Sequence, residues 1–356
     1  MLIGELKHLN NTSMTHRFPL KEIAQQSGLS TATIDRVIND RPNVSPQTKA
    51  RVERAISELE GQETQLAARG RRMFFDFVIE APDRFSREVR QAAEQVLPKI
   101  GTAVCRPRFV LQAEMSEAEV LSTLARILKR GSQGVCLKVR DLPSIPAAVD
   151  RLTKAGIPVV TLVTDLTGTN RIAYVGLDNK SAGRTAAYLI VKSLRTMDGT
   201  VLTSRSNDLF LGEEEREAEF IKTLSHHAPN LRIVDVTGGQ GVHHETARLM
   251  GKAVGHLGYL CAVYSMGGGN ITILDVLEQN KITPDIYIAH DLDKDNLALI
   301  EAGRISFVLH HDLRIDLENV FQAFLHYHKL LNGILLTPIS NIQVVTPENI
   351  PAEPHN

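Results

Sequence analysis

Tryptophan is absent from the 356 residues, and aromatic residues amount to only 5%. Nor is there any run of 18 apolar residues, so no membrane-spanning helix is expected. Cysteine is scarce: Cys105, Cys136 and Cys261 are widely spaced and odd in number. Cys136 and Cys261 sit in apolar strand-like runs, and buried reduced thiols are the expected state. The opening MLIGELKHLNNTSM lacks a basic segment followed by a long apolar core, so it does not read as a secretory signal. A cytoplasmic protein follows as the expectation, with residues 1–13 disordered and translation starting at Met14.

Catalytic signatures are missing too. There is no G-x-S-x-G, no phosphate-binding G-x-x-x-x-G-K and no H-E-x-x-H. The adjacent pairs His226-His227 and His243-His244 suit a shared ion poorly, because neighbouring side chains on a helix or strand point apart. His290 with Asp291, and His310-His311 with Asp312, are better placed. Gly267-Gly268-Gly269-Asn270 could cradle a phosphate at a helix start. It lacks the G-x-G-x-x-G spacing and the ribose-binding acid of a dinucleotide site. No metal, no cofactor and no enzymatic activity are expected.

What is present begins with the stretch LKEIAQQSGLSTATIDRVIN, residues 20–39. Pro19 suits a first helical position, and Leu20, Ile23 and Ala24 share one helical face. Ser27-Gly28 stops that helix, glycine tolerating the left-handed conformation of a sharp turn. Ser30 or Thr31 can cap a second helix whose apolar face is Ile34, Val37 and Ile38. Two helices joined this tightly make a helix-turn-helix, whose second helix enters a major groove. Its outward positions are Thr31, Ala32, Thr33, Asp35, Arg36 and Asn39. Arg36 has the reach to donate twice to a guanine. Ser45 and Pro46 then open a third helix, 47–60, burying Val52, Ala55, Ile56 and Leu59. From Thr15 to Arg72 there are 10 Lys and Arg against 7 Asp and Glu, within a chain of formal net charge −1. A mildly basic head on an acidic body fits phosphate contact at one end.

The run L-K-E-I-A-x-x-S-G-L-S-T-A-T-I-D-R-V-I-N followed by V-S-P-x-T-x-x-R-V resembles the headpiece of lactose-repressor (LacI) family transcription regulators. The resemblance implies base reading by Thr31, Ala32 and Arg36, with backbone contacts supported by Ser30, Thr33 and Asn39. Asp35 departs from the family's usual Ser, and would need a cation such as Arg36 or Arg41 beside it. The headpiece is set at 15–61 and a linker at 62–72. In the resembled family this linker forms a hinge helix whose leucine wedges into the minor groove, kinking the DNA. Here Gly70 falls where that leucine is expected. Either Leu66 inserts instead, or the site is bent less, with Arg69, Arg71 and Arg72 gripping phosphates.

From residue 73 to 356 apolar strand-like runs alternate with helical patterns. They appear at 74–80, 102–110, 134–139, 157–163 and 172–176, then at 200–204, 232–236, 260–266, 285–290 and 304–311. Helical patterns include 84–99, 117–130, 180–195, 213–224 and 291–302. This alternation implies parallel sheets covered on both faces. Ten strands divide into two sheets, with the break after Asp178-Asn179. Two α/β lobes around a cleft are a ligand-closure architecture, and ligands bind beyond the carboxyl ends of such strands. Those ends carry Glu80, Asp83, Arg140, Asp141, Thr164, Asp165, Ser265, Asp291, His311 and Asp312, a set suited to hydroxyl-rich ligands. Phe85 could stack on a sugar ring.

The body, through V-G-L-D-N-x-x-A-G-R-x-A-A (175–187) and Y-S-M-G-G-G-N (264–270), resembles the ribose/galactose-type branch of periplasmic sugar-binding proteins. The fold implied is a helix-turn-helix headpiece on a two-lobed periplasmic-binding-protein-like α/β body with parallel sheets. The resemblance places Phe85 as the stacking aromatic, Arg216 as donor to sugar hydroxyls, and Asp165 and Asp291 as carboxylates after lobe strands. Ser265 stands where Asn is usual and His311 where Gln is common; Arg140 joins them as a cleft candidate. The function implied is a DNA-binding regulator, in the repressor sense, controlled by a small sugar or polyol. It would act as a homodimer on a pseudo-palindromic operator. The alternative is a cytoplasmic sugar-binding or sugar-modifying α/β protein using Asp165 and Asp291 as an acid–base pair.

Overall fold

The computed structural model describes residues 16–68, 71–206, 209–239, 243–331 and 339–351, with backbone only for 64–68. The expectations for residues 1–13, Met14, Arg69 and the Leu66 side chain lie outside the described residues. No described helix is long and apolar enough to cross a membrane.

Three helices form the headpiece: α1 (Leu20–Ser27), α2 (Thr31–Ile38) and α3 (Pro46–Ala68). Pro19 stands one residue earlier than expected, as N-cap of α1. Gly28 takes a left-handed conformation with φ 64°, which closes α1 and turns the chain. Ser30 Oγ accepts from the Thr33 backbone N–H at 3.2 Å, starting α2. Ser45 does the same for Thr48 at 3.1 Å, one residue before Pro46. Ile23, Ile34 and Val52, one from each helix, are fully buried together. Residues 62–68 do not leave the helix but continue α3 without a break.

The body carries two sheets. The first holds β1 (Arg72–Glu80), β2 (Val104–Gln112), β3 (Gly134–Lys138), β4 (Val159–Leu162) and β5 (Ala173–Val175). Their order is β2-β1-β3-β4-β5, all pairs parallel. The second holds β6 (Thr200–Ser204), β7 (Arg232–Asp235), β8 (Leu260–Ser265), β9 (Ile286–His290), β10 (Phe307–His310) and β11 (Gln343–Val345). Its order is β11-β10-β9-β8-β6-β7, parallel except for β11, which runs antiparallel to β10. Covering helices are α4 (Asp83–Val96), α5 (Glu117–Arg130), α6 (Ile145–Lys154), α7 (Asn179–Ser193), α8 (Leu211–His227), α9 (His243–Ala253), α10 (Asn270–Gln279), α11 (Lys294–Glu301) and α12 (Leu313–Tyr327).

The division after Asp178-Asn179 is where the chain first leaves the β1–β5 lobe, but it is not a clean cut. Helix α12 returns to that lobe. Phe324 stacks on Phe75 at 5.0 Å, and Phe321 packs on Phe75 and Phe77 at 5.8 and 5.6 Å. Burying these rings completes a core that the first five strands leave open. After α12 the chain rejoins the second sheet as β11. All three cysteines are buried and free.

Candidate functional site

The ends of β1, β3 and β4 face those of β8, β9 and β10 across the cleft, as strand direction requires. Two neighbouring hollows lie there. One encloses about 300 Å³ and the other, smaller, about 60 Å³. They share Arg84, Phe85 and Asp291. The lobes already touch around them. Arg84 Nη1 donates to Asp293 Oδ2 at 2.5 Å. Arg84 Nη2 donates to the Gly267 carbonyl at 3.3 Å. The Gly212 backbone N–H donates to Thr164 Oγ1 at 3.1 Å, and that of Asp141 to the Leu209 carbonyl at 3.0 Å. The cleft is therefore in a closed arrangement.

Within the smaller hollow Lys138 closes β3. Its ammonium donates to the Glu80 carbonyl at 3.2 Å and lies 4.0 and 5.4 Å from the ring centres of Phe210 and Phe85. Burial pulls its pKa down to about 8, against the attraction of Glu213 and Glu80. Arg216, on α8, donates from Nε to Asn179 Oδ1 at 2.7 Å and from Nη1 to the Met266 carbonyl at 3.1 Å. Glu213 accepts from the Ser206 backbone N–H at 2.7 Å and from its hydroxyl at 2.6 Å.

In the larger hollow Asp291 takes a left-handed backbone, φ 63°, which sets its carboxylate beside His311 Nε2 at 3.5 Å. His311 Nδ1 meets Asp316 Oδ2 at 2.5 Å. Burial opposes the imidazolium, but the carboxylates of Asp291 and Asp316 outweigh it and push the His311 pKa up to about 9. The Asp291 carboxyl is half-buried, which opposes its charge, yet His311 holds it well below the usual carboxylate range. Gln91, Gln95 and the Asp312–Arg314 pair complete a polar wall. Such a lining can hydrogen-bond several hydroxyls.

Of the residues singled out by sequence, Phe85, Arg216, Asp291 and His311 line the hollows. Thr164 and Asp312 line them too, whereas three of the expected ligand contacts do not, and each has a physical reason. Arg140 turns aside to Glu80 at 2.8 Å and to the Met115 carbonyl. Asp165 is held by Arg171, by the Thr161 hydroxyl at 2.7 Å and by the Leu166 N–H at 2.9 Å. Ser265 is fully buried within β8, and the next two residues, Met266 and Gly267, reach the lining instead. Sequence reasoning passed over Arg84, Lys138, Phe210, Glu213 and Asp293. Lys138 left one visible signal, a lone charge in the apolar run GVCLKV.

In the headpiece Ser30, Thr31, Ala32, Arg36 and Asn39 are exposed on or beside α2, and Thr33 is half-buried against the Ser30 hydroxyl at 2.8 Å. The Arg36 guanidinium makes no hydrogen bond or ion pair among the described residues. Asp35 is paired with Arg41 at 3.2 Å and accepts from Asn39 Nδ2 at 2.7 Å.

Two family descriptions match the chain. Residues 77–314 match the periplasmic binding protein domain, and residues 19–60 match bacterial regulatory proteins of the lacI family. A curated relative, catabolite control protein A of Priestia megaterium, is 25% identical over 177 residues, 48% of this chain and 51% of its own length. The match thus spans about half of that relative. Among solved structures, GanP, a glucose-galactose binding protein from Geobacillus stearothermophilus, superposes with a TM-score of 0.69 at 18% identity. It covers 79% of this chain and 99% of that one. A putative LacI transcriptional regulator from Bacteroides fragilis gives 0.68 at 16% identity, over 79% and 98% of the two chains. At such identities the superpositions speak for the fold.

Proposed function

The chain belongs to the periplasmic binding protein domain family and bears a lacI-type regulatory segment at its head, and from this premise we propose that it is a ligand-controlled, sequence-specific DNA-binding transcription regulator. One observation carries the reading. A capped recognition helix with an exposed, uncommitted Arg36 shares a chain with a cleft lined by hydroxyl-binding groups. Thr31, Ala32 and Arg36 read base edges, while Ser30, Thr33 and Asn39 support contacts to phosphates. Leu66 and Arg69 belong to the segment that enters or flanks the minor groove. A small sugar or polyol occupies the cleft, touched by Phe85, Arg216, Asp291 and His311. The protein acts in the cytoplasm as a homodimer on paired half-sites.

Control follows from differential affinity. A ligand that favours the closed cleft biases lobe orientation, and with it headpiece spacing, by a coupling of roughly 1–3 kcal/mol. The sense proposed is a repressor released by its effector. The test is fluorescence anisotropy on DNA from upstream of the protein's own gene, with and without a panel of monosaccharides and polyols. Specific binding weakened by one ligand supports the reading. Binding that is only salt-sensitive and indifferent to sequence and to every ligand refutes it.

A further inference from the structure

Buried charges are normally paired, because an isolated ion loses its hydration without compensation. In this body the rule is widely kept. Arg84 has Asp293, Arg140 has Glu80, and His311 has Asp316. Lys138 and Arg216, 9% and 3% exposed, do not follow it. Among the described residues neither has a carboxylate oxygen within 4 Å, and every acceptor they reach is neutral: the Glu80 carbonyl, the Asn179 amide and the Met266 carbonyl.

Both line the same hollow of about 60 Å³. The two carboxylates of that hollow are engaged elsewhere, Glu213 by Ser206 and Asp291 beside His311. The two cations are close enough that Arg216 adds to the fall in the Lys138 pKa. Lys138 uses one of its three donors, and Arg216 leaves Nη2 uncommitted. An ammonium and a guanidinium, buried together with unused donors and no ion pair of their own, form a receptor for an anion.

We infer that the effector is an anionic polyol, a sugar acid or sugar phosphate, whose carboxylate or phosphate sits between Lys138 and Arg216 while its hydroxyls occupy the larger hollow. This rests on the cleft being the effector site. It adds a charge requirement that a neutral sugar does not meet. Phe85 and Phe210 then flank the charged end, and Asp291 with His311 meets the hydroxylated end.

Titration calorimetry on the full chain tests it with matched probes: D-glucose, D-gluconate and D-glucose 6-phosphate, and D-galactose, D-galacturonate and D-galactose 1-phosphate. At least one anionic member is expected to bind roughly tenfold to a hundredfold tighter than its neutral counterpart. The carboxylate and phosphate arms tell which anion it is. Lys138→Met should reduce that ligand to the affinity of the neutral sugar. The same variant should melt no lower than the parent without ligand, because it removes an unpaired buried charge. A neutral sugar binding as tightly as its anionic partners, with Lys138→Met indifferent, overturns the anion requirement and leaves the cleft as a sugar site. Binding of no probe by the parent overturns the cleft reading and this inference together.

Discussion

Arg36 stands in solvent on a helix whose folding makes no use of it, whereas Lys138, Arg216 and His311 are buried in the packing that surrounds them. In the headpiece, Ile23, Ile34 and Val52 on the inner faces hold three helices together, and the outer face of α2 is left open. In the cleft, lining and support are the same residues. Arg216 ties α8 to Asn179 at the start of α7 and to the loop after β8. Substitutions on the outer face of α2 should therefore alter DNA binding alone. Substitutions around the cleft should alter stability and ligand response together.

The largest effect is expected where the cleft's support is tightest. A Cβ at Gly183 of α7 would lie 2.1 Å from the Arg216 carbonyl oxygen and 3.0 Å from the Phe220 nitrogen, both backbone atoms of α8. Gly183→Ala must push the two helices apart, costing about 3 kcal/mol and loosening Arg216. The body's urea midpoint should fall and effector affinity with it. A normal midpoint would break the contrast, because cleft and packing would then be separable.

Next in size is a pH dependence confined to the body. The His311 pKa is raised from 6.5 to about 9 in the folded protein. A raised pKa means the stabilisation is fully present below the unfolded value near 6.5 and is lost as pH climbs through about 9. That shift corresponds to roughly 3 kcal/mol as an upper figure. Body unfolding followed from pH 6.5 to 8 should show the start of the decline, before loss of the Lys138 proton above about 8 begins to oppose it, and His311→Gln should flatten it. A parent curve as flat as the variant's would remove His311 from the support of the cleft.

Arg36→Ala sharpens the other side. Losing a bidentate base contact should weaken binding to the matched operator by about 1–3 kcal/mol and relax preference at one base position. The melting curve should not move, because no described residue depends on that guanidinium. A lowered melting point would show that α2 is not the free surface described here.

The headpiece was legible because its rules are local. Helical spacing marked Ile23, Ile34 and Val52, and Gly28, Ser30 and Ser45 marked the boundaries. Parallel strands were legible as apolar runs. What escaped depends on contacts between distant segments. Periodicity shows that α12 has an apolar face, but not that Phe321 and Phe324 turn back to Phe75. Strand β11 is three residues long and gives no pattern of its own. At the cleft, strand ends located the region but not side-chain direction. Arg140 and Asp165 lie at such ends and pair sideways with Glu80 and Arg171. Lys138, the last residue of β3, reaches the hollow instead.

Asp35 offers the smallest and most discriminating test. It places a carboxylate on the helix that would approach phosphates, and holds Asn39 and Arg41 while doing so. Because the pair is largely exposed, Asp35→Ala should change stability by less than about 0.5 kcal/mol. Removing the acid takes away one repulsion and frees Arg41 for a phosphate. DNA affinity should rise a few-fold for matched and unmatched sequences alike, and the salt dependence should steepen by about one counterion. The ratio between the two sequences should stay constant, because neither change touches a base edge. A stability loss beyond about 1 kcal/mol would make Asp35 a structural charge of the headpiece, comparable to His311 in the body, and the distinction between an open reading surface and a packed cleft would fail at that residue.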